Sequence, residues 1–225
     1  MSLSEYREKV SRLIQDEAGR LSNEDIEAFI AEALSYYSKD APFYKVADIA
    51  GDGGYQYDLP QNWLEGFSGL ISVEYPAGRQ LPVILESGDY TVYKTPQGLK
   101  LHFYSFSPQI GESIRLNYTT AYTQADIDSI PLADQDIFCV LAAALCCEAL
   151  ARYYAQTSDT LVEADSVNYR TKSDEYARRT KELISRYHDF MGKKEDSPRA
   201  AGQTLDWDVS YSWGGDYLIH PRKYR

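Results

Sequence analysis

Between Ile137 and Cys147 the chain runs "IFCVLAAALCC", eleven residues without a charge. A helix at the surface of a globular protein keeps its apolar residues to one stripe, whereas this run is apolar on every side. The pattern predicts a helix from about Leu132 to Gln156 that is buried all round. Pro131 pre-sets its start, and Asp134 and Asp136 fall in the first turns, where the helix dipole favours carboxylates. Ala142, Ala143, Ala144, Ala149 and Ala151 permit close approach by neighbouring helices. Glu148 and Arg152 form an i,i+4 pair on the more polar second half. Eleven uncharged residues are too few to cross a bilayer, so the run demands other helices around it.

The two ends of the chain supply them. Ser2 and Glu5 read as a capping box ahead of Leu3, Tyr6, Val10, Leu13 and Ile14, with Gly19 as the stop. Ser22 and Asp25 open a second helix carrying Ile26, Phe29, Ile30, Ala33, Leu34 and Tyr37, which cannot run far past Pro42. After the apolar run, Tyr169, Tyr176, Leu183 and Phe190 recur every seven residues, joined by Ile184 and Tyr187. Arg170, Arg178 and Lys181 flank this thin seam on one edge, and Lys172, Arg179 and Arg186 on the other. A narrow seam with charged shoulders predicts a helix on the outside of a bundle or between subunits.

Between the helix pairs the period changes from 3.6 to 2. "FYKVADIAGDGGYQYDLP" predicts two short strands around the turn Gly51-Asp52-Gly53-Gly54, followed by strand-like runs "LISVEYP", "LPVILE", "DYTVYKTP", "LKLHFYSF" and "SIRLNYTTAYT". Leu99, Leu101 and Phe103 alternate with Lys100, His102 and Tyr104; Ile114, Leu116 and Tyr118 alternate with Arg115, Asn117 and Thr119. This alternation predicts antiparallel strands with one wet face, and Gly78, Gly88, Gly98 and Gly111 punctuate them. The expected class is therefore α+β. A helix pair (1–41) and a long helical pair (125–192) form a bundle around an inserted antiparallel β domain (42–124). A linker, "GKKEDSPRAAGQ", leads into an aromatic extension within 193–225, with Trp207, Tyr211, Trp213, Tyr217 and Tyr224. Aromatic residues of this kind anchor interfaces; the plainer alternative is a tail folded back on its own domain.

Composition narrows the chemistry. The 20 tyrosines against 7 phenylalanines suit half-buried interfaces or tyrosine-rich β structure. The net charge of −11 divides into −14 over residues 1–169 and +3 over 170–225, an acidic body that opposes tight wrapping of nucleic acid. Cys139, Cys146 and Cys147 share one apolar helix and offer no disulfide framework, as in a reducing compartment. "MSLSEYREKV" lacks the apolar core of a signal peptide, so a cytosolic-type soluble protein is expected. His102, His188 and His220 lie apart with no zinc-ligand spacing. "GFSG" at 66–69 is not G-x-S-x-G, and "GDGG" has neither EF-hand positions nor a following GK[ST]. No catalytic residue, metal or cofactor is expected.

Three linked stretches carry a family resemblance: "EYPAGRQLP" (74–82), "DYTVYKTPQGLKLHF" (89–103), and "LAAALCCEALARYYAQTSD" running into "ADSVNYRTKSDEYARR" (141–179). Over roughly residues 1–192 the chain resembles the head–tail adaptor (connector or neck) proteins of tailed bacteriophages. The resemblance implies a non-enzymatic virion protein of the neck, made in the host cytoplasm. It implies a ring of twelve copies below the portal that extends the DNA channel and docks the tail or next neck component. Portal, neighbouring copies and passing duplex DNA would be the partners, with no sequence-specific DNA binding and no membrane. It points to Trp207, Tyr211, Trp213 and Tyr217 as anchors reaching the portal. Tyr224, Tyr169, Tyr176, Arg178 and Arg179 are further candidates for portal or subunit contacts. The alternatives are a tail-completion or stopper protein, a DNA-binding packaging or regulatory protein using Arg170, Arg178, Arg179 and Arg186 on phosphates, and a morphogenesis hydrolase.

Overall fold

The computed structural model describes residues 1–16, 18–157 and 169–192. It is an α+β protein with four main helices and two three-stranded antiparallel sheets. α1 (Leu3–Ile14) and α2 (Asn23–Asp40) begin at the expected caps: the Ser2 backbone N–H donates to the Glu5 carboxylate at 2.6 Å, and that of Ser22 to Asp25 at 2.9 Å. The six strands follow: β1 (Phe43–Ala50), β2 (Gln56–Asp58), β3 (Leu70–Glu74), β4 (Tyr90–Thr95), β5 (Gly98–Phe103) and β6 (Ser113–Thr120). A short 3₁₀ helix (Gln124–Ser129) then leads into α3 (Gln135–Thr157), and α4 is Tyr169–Phe190.

α3 is the centre of the bundle. Ile137 to Ala144, Cys146, Cys147 and Leu150 are all buried, packed against Tyr6, Val10 and Ile14 of α1 and Ile26, Ile30, Leu34 and Tyr37 of α2. Phe138 sits at its heart, edge-on to Tyr6 at 5.3 Å and to Tyr37 at 5.7 Å. By length and composition Gln135–Gln156 could cross a membrane, but 72% of its most apolar stretch is already covered within the protein. α4 is fastened along α3: Tyr176 stacks on Tyr154 at 5.7 Å, and the Ser173 hydroxyl donates to the Ala151 carbonyl at 2.9 Å. The Tyr187 hydroxyl reaches α2, donating to Asp40 at 2.7 Å.

The expected heptad seam is displaced on this helix. Thr180 and Tyr187 are its buried positions, Tyr176 and Leu183 are half-buried, and Phe190 is 53% exposed. A straight helix turns once per 3.6 residues, so a strict seven-residue repeat drifts about 20° per heptad off the contact line. The side chain of Tyr169, first in the repeat, lies outside the described residues.

One sheet has the order β1-β6-β3, the other β2-β5-β4. Tyr57, Leu101 and Phe103 of the second share a small core with Val73, Ile114, Leu116 and Tyr118 of the first, so the alternation in β5 and β6 falls on the expected faces. Two expectations are corrected. β1 and β2 do not form a hairpin: β1 pairs with β6 and β2 with β5. The loop between them is tied to the segment before β6, since Gly51 N–H donates to the Glu112 carbonyl at 2.8 Å and Gly53 N–H to that of Pro108 at 2.9 Å. A Cβ on Gly51 would stand 2.3 Å from the Gln109 carbonyl oxygen, so glycine serves close approach here. "LPVILE" is no strand either. It makes a single bridge, Ile84 to Glu74, because Pro82 brings no N–H to a ladder. The sheets join the bundle where Phe43 stacks on Tyr122 at 4.6 Å and the Tyr122 N–H donates to the buried Ser38 hydroxyl at 2.9 Å.

Candidate assembly surfaces

Of the residues singled out in the sequence for contacts, Trp207, Tyr211, Trp213, Tyr217 and Tyr224 lie outside the described residues. Those on α4 divide by helix face. Arg179 Nη1 donates to Gln15 Oε1 at 3.1 Å, tying α4 to the end of α1, and the Tyr176 ring is held between helices by its stack on Tyr154. Burial raises the Tyr176 hydroxyl to about 12, with carboxylate Asp16 adding to the shift. Within the single chain these two residues are engaged by the bundle. Arg178 faces the opposite way, exposed, with only a loose pair to Glu182 at 3.7 Å. A helix turn places residues 178 and 176 on different sides, which the seven-residue spacing already encodes.

The cations of α4 do not make a single-sign surface. Lys172, Arg178, Arg179, Lys181 and Arg186 are interleaved with Asp174, Glu175, Glu182 and Asp189. Phosphate binding by such a helix would need cations clear of carboxylates.

Reactive chemistry finds little to build on. The thiols of Cys139, Cys146 and Cys147 are buried and pushed up by desolvation to about 11, about 12 and about 11, away from nucleophilic use. Among the described residues no group of three His, Cys, Asp or Glu converges in the manner of a metal site. An open groove of about 400 Å³ between α2 and α3 is lined by Phe29, Glu32, Tyr36, Glu148, Arg152 and Tyr153 among others. Arg152 is paired with Glu148, and Arg20 lies over the Tyr153 ring at 5.5 Å. The groove's one arginine is thus already paired.

What the structure adds is apolar surface on the sheets. Tyr44 is 69% exposed and Val46 62%, side by side on the outer face of β1, with Ile71 of β3 also exposed. On the other sheet His102 lies among Tyr55, Tyr93 and Tyr104, with centroid distances of 6.5, 5.5 and 5.4 Å. None of these was among the residues expected from the sequence to make assembly contacts. The signal was present in "FYKVADIA", which carries apolar residues on both faces, the mark of a strand meant to be covered twice.

The model of the SU10 adaptor protein family matches residues 1–202, so the chain belongs to that family: it is a phage head–tail adaptor, a structural protein of the virion. Its sequence matches no curated protein at a significant level. Among solved structures, a chain in the neck of an empty gene transfer agent particle computed with C6 symmetry is 11% identical. It covers 78% of this chain and 88% of that one, with a TM-score of 0.30. A chain in the virion of a native gene transfer agent particle is 10% identical over 78% and 88%, with a TM-score of 0.29. One in the neck of the native particle computed with C12 symmetry is 13% identical over 77% and 86%, with a TM-score of 0.26.

Proposed function

We propose that this adaptor closes into a ring of twelve copies beneath the portal, extends the DNA channel, and presents a docking surface to the tail or next neck protein. The observation that carries the reading is the family match, which runs from the first helix through the bundle and into the linker. The physical features support it. A ring subunit covers itself on two neighbours, which suits the exposed tyrosines and aliphatics of the sheets and the aromatic residues beyond Gly192. The body carries its charge as carboxylates, and an acidic channel wall lets duplex DNA slide without capture.

In this reading residues 1–41 and 125–192 form the rigid bundle and 42–124 an inserted β domain. Residues 193–225 are an anchoring segment whose Trp207, Tyr211, Trp213, Tyr217 and Tyr224 bind portal or a neighbouring subunit. Arg178, exposed on α4, contributes to the lateral contact. Assembly takes place in the host cytoplasm and ends in the virion neck. Deleting residues 205–225 tests this: the helical circular dichroism signal is retained while co-assembly with purified portal is lost. Loss of the helical signal on deletion, or portal binding that survives it, contradicts the anchoring role. Retention of duplex DNA by the assembled ring that weakens as salt rises would show instead that cations line the channel.

A further inference from the structure

The outer edges of the two sheets differ in length and in what lies beside them. The outer edge of β3 is covered by the chain itself, since Leu85 N–H donates to the Val73 carbonyl at 2.8 Å and Tyr75 N–H to that of Val83 at 3.0 Å. β2 is three residues long, and β4 is six residues long with Lys94 exposed and paired to Glu65 at 2.6 Å. β1 is different. It pairs with β6 without a bulge over eight residues, from Phe43 opposite Thr120 to Ala50 opposite Ser113, and no strand among the described residues lies on its other side. Natural edges are blunted by proline, bulges or free charge. β1 has neither of the first two, and both its charges are occupied: Lys45 on Asp126 at 3.1 Å, Asp48 on Arg115 at 2.8 Å. The core beside it is also unfinished, because Ala47 and Ile49 are only partly buried where their partners Leu116 and Ile114 are fully so.

Outside the described residues the sequence carries a strand-like pattern. In "LDWDVSYSW" Leu205, Trp207, Val209, Tyr211 and Trp213 alternate strictly with Asp206, Asp208, Ser210 and Ser212, a nine-residue period of two with one wholly apolar face. Gly214-Gly215 and "DYLIH" after it permit one fold back, and a two-stranded hairpin alone is marginal in water. We infer that Leu205–Trp213 of one copy adds as a strand to the open edge of β1 in a second copy, its odd-numbered apolar residues completing the core beside Ala47 and Ile49. Donor and acceptor then sit on the same chain, so each copy gives to one neighbour and takes from the other, the head-to-tail contact that closes a ring. The inference rests on the ring reading above and names the lateral joint within it.

Paired cysteines test it in neck rings assembled with portal from two mixed chains, one carrying Val46→Cys and the other a single cysteine in the donor segment. The native thiols are fully buried and do not compete. Val46 and the even-numbered donor positions face outward together. Asp208→Cys or Ser210→Cys therefore gives a disulfide-linked pair of chains, and Val209→Cys gives about tenfold less, since its side chain points to the opposite face. Rings of full mass with no cross-link, with equal yields at odd and even positions, or with links confined to single chains overturn the inference and leave the ring standing. Absence of any ring beside portal overturns both.

Discussion

The bundle and the paired sheets answer the same need for burial with different degrees of closure. Around the first half of α3 the apolar surface is buried, and two of the bundle's buried tyrosines are bonded to carboxylates: Tyr37 donates to Asp134 at 2.6 Å and Tyr187 to Asp40 at 2.7 Å. Among the described residues the sheets enclose a smaller core, leave β1 with a strand on one side only, and turn Tyr44, Val46 and Ile71 outward. One region buries its apolar side chains within the protomer; the other leaves several of them exposed. A protein that works by being covered has to leave part of itself unfinished, and here the unfinished part is β structure, whose open edge supplies backbone hydrogen bonds as well as apolar area.

Core truncation separates the two regions most strongly. Phe138→Ala removes a fully buried ring from the bundle and is expected to cost about 3–5 kcal/mol in denaturant unfolding, with loss of the whole fold. Leu116→Ala in the sheet core costs about 2–5 kcal/mol. If the comparison holds, proteolysis of that variant begins within residues 42–124 while the helical signal persists. Equal loss of helix in both variants would show a single undivided core.

Burial raises Tyr57, Tyr75 and Tyr90 of the sheet region as well, but the largest upward shifts fall in the bundle. Desolvation raises the thiols of Cys139, Cys146 and Cys147 from an ordinary 9.0 to about 11, 12 and 11, raises Tyr176 to about 12, and moves Tyr37 and Tyr187 higher still, aided by the carboxylates they donate to. Groups whose folded value is raised contribute stability that is intact below their unfolded value and lost as pH climbs through the folded one. The bundle should therefore soften between about pH 9 and pH 12. In the sheets the Arg115 guanidinium holds Asp48 below its ordinary 3.8, a contribution lost as pH falls. Helical circular dichroism that declines first on the alkaline side checks this order.

A finer contrast lies inside the bundle. The Tyr6 hydroxyl is buried with no hydrogen-bond partner, whereas that of Tyr187 is bonded to a carboxylate. Tyr187→Phe should destabilise by about 1.5–3 kcal/mol, and Tyr6→Phe should stabilise by about 1 kcal/mol, because it removes an unpaired polar group. Chemical denaturation of the two variants reads both signs.

How much of this was legible in the sequence depended on whether local pattern or long-range pairing decides the outcome. α3 was plain because an uncharged run can only be buried, and the Ser2 and Ser22 caps because they act over three residues. Alternation in β5 and β6 gave the buried face, but period 2 says nothing about the partner strand. The loop at Gly51 was thus read as a hairpin when its hydrogen bonds go to Pro108 and Glu112 instead. Phe190 was read into the seam because a seven-residue count ignores helical drift. The open edge of β1 is a property of sheet order, which no single segment encodes, although apolar residues on both faces of "FYKVADIA" hinted at it.

The central claim is that this adaptor functions by closing on copies of itself at the portal. The most direct test is the mass of the complex formed when the purified chain is mixed with purified portal rings. The account predicts a discrete assembly carrying one closed ring of chains per portal. A chain that stays unbound, or that binds in a graded, unsaturable way, would contradict it.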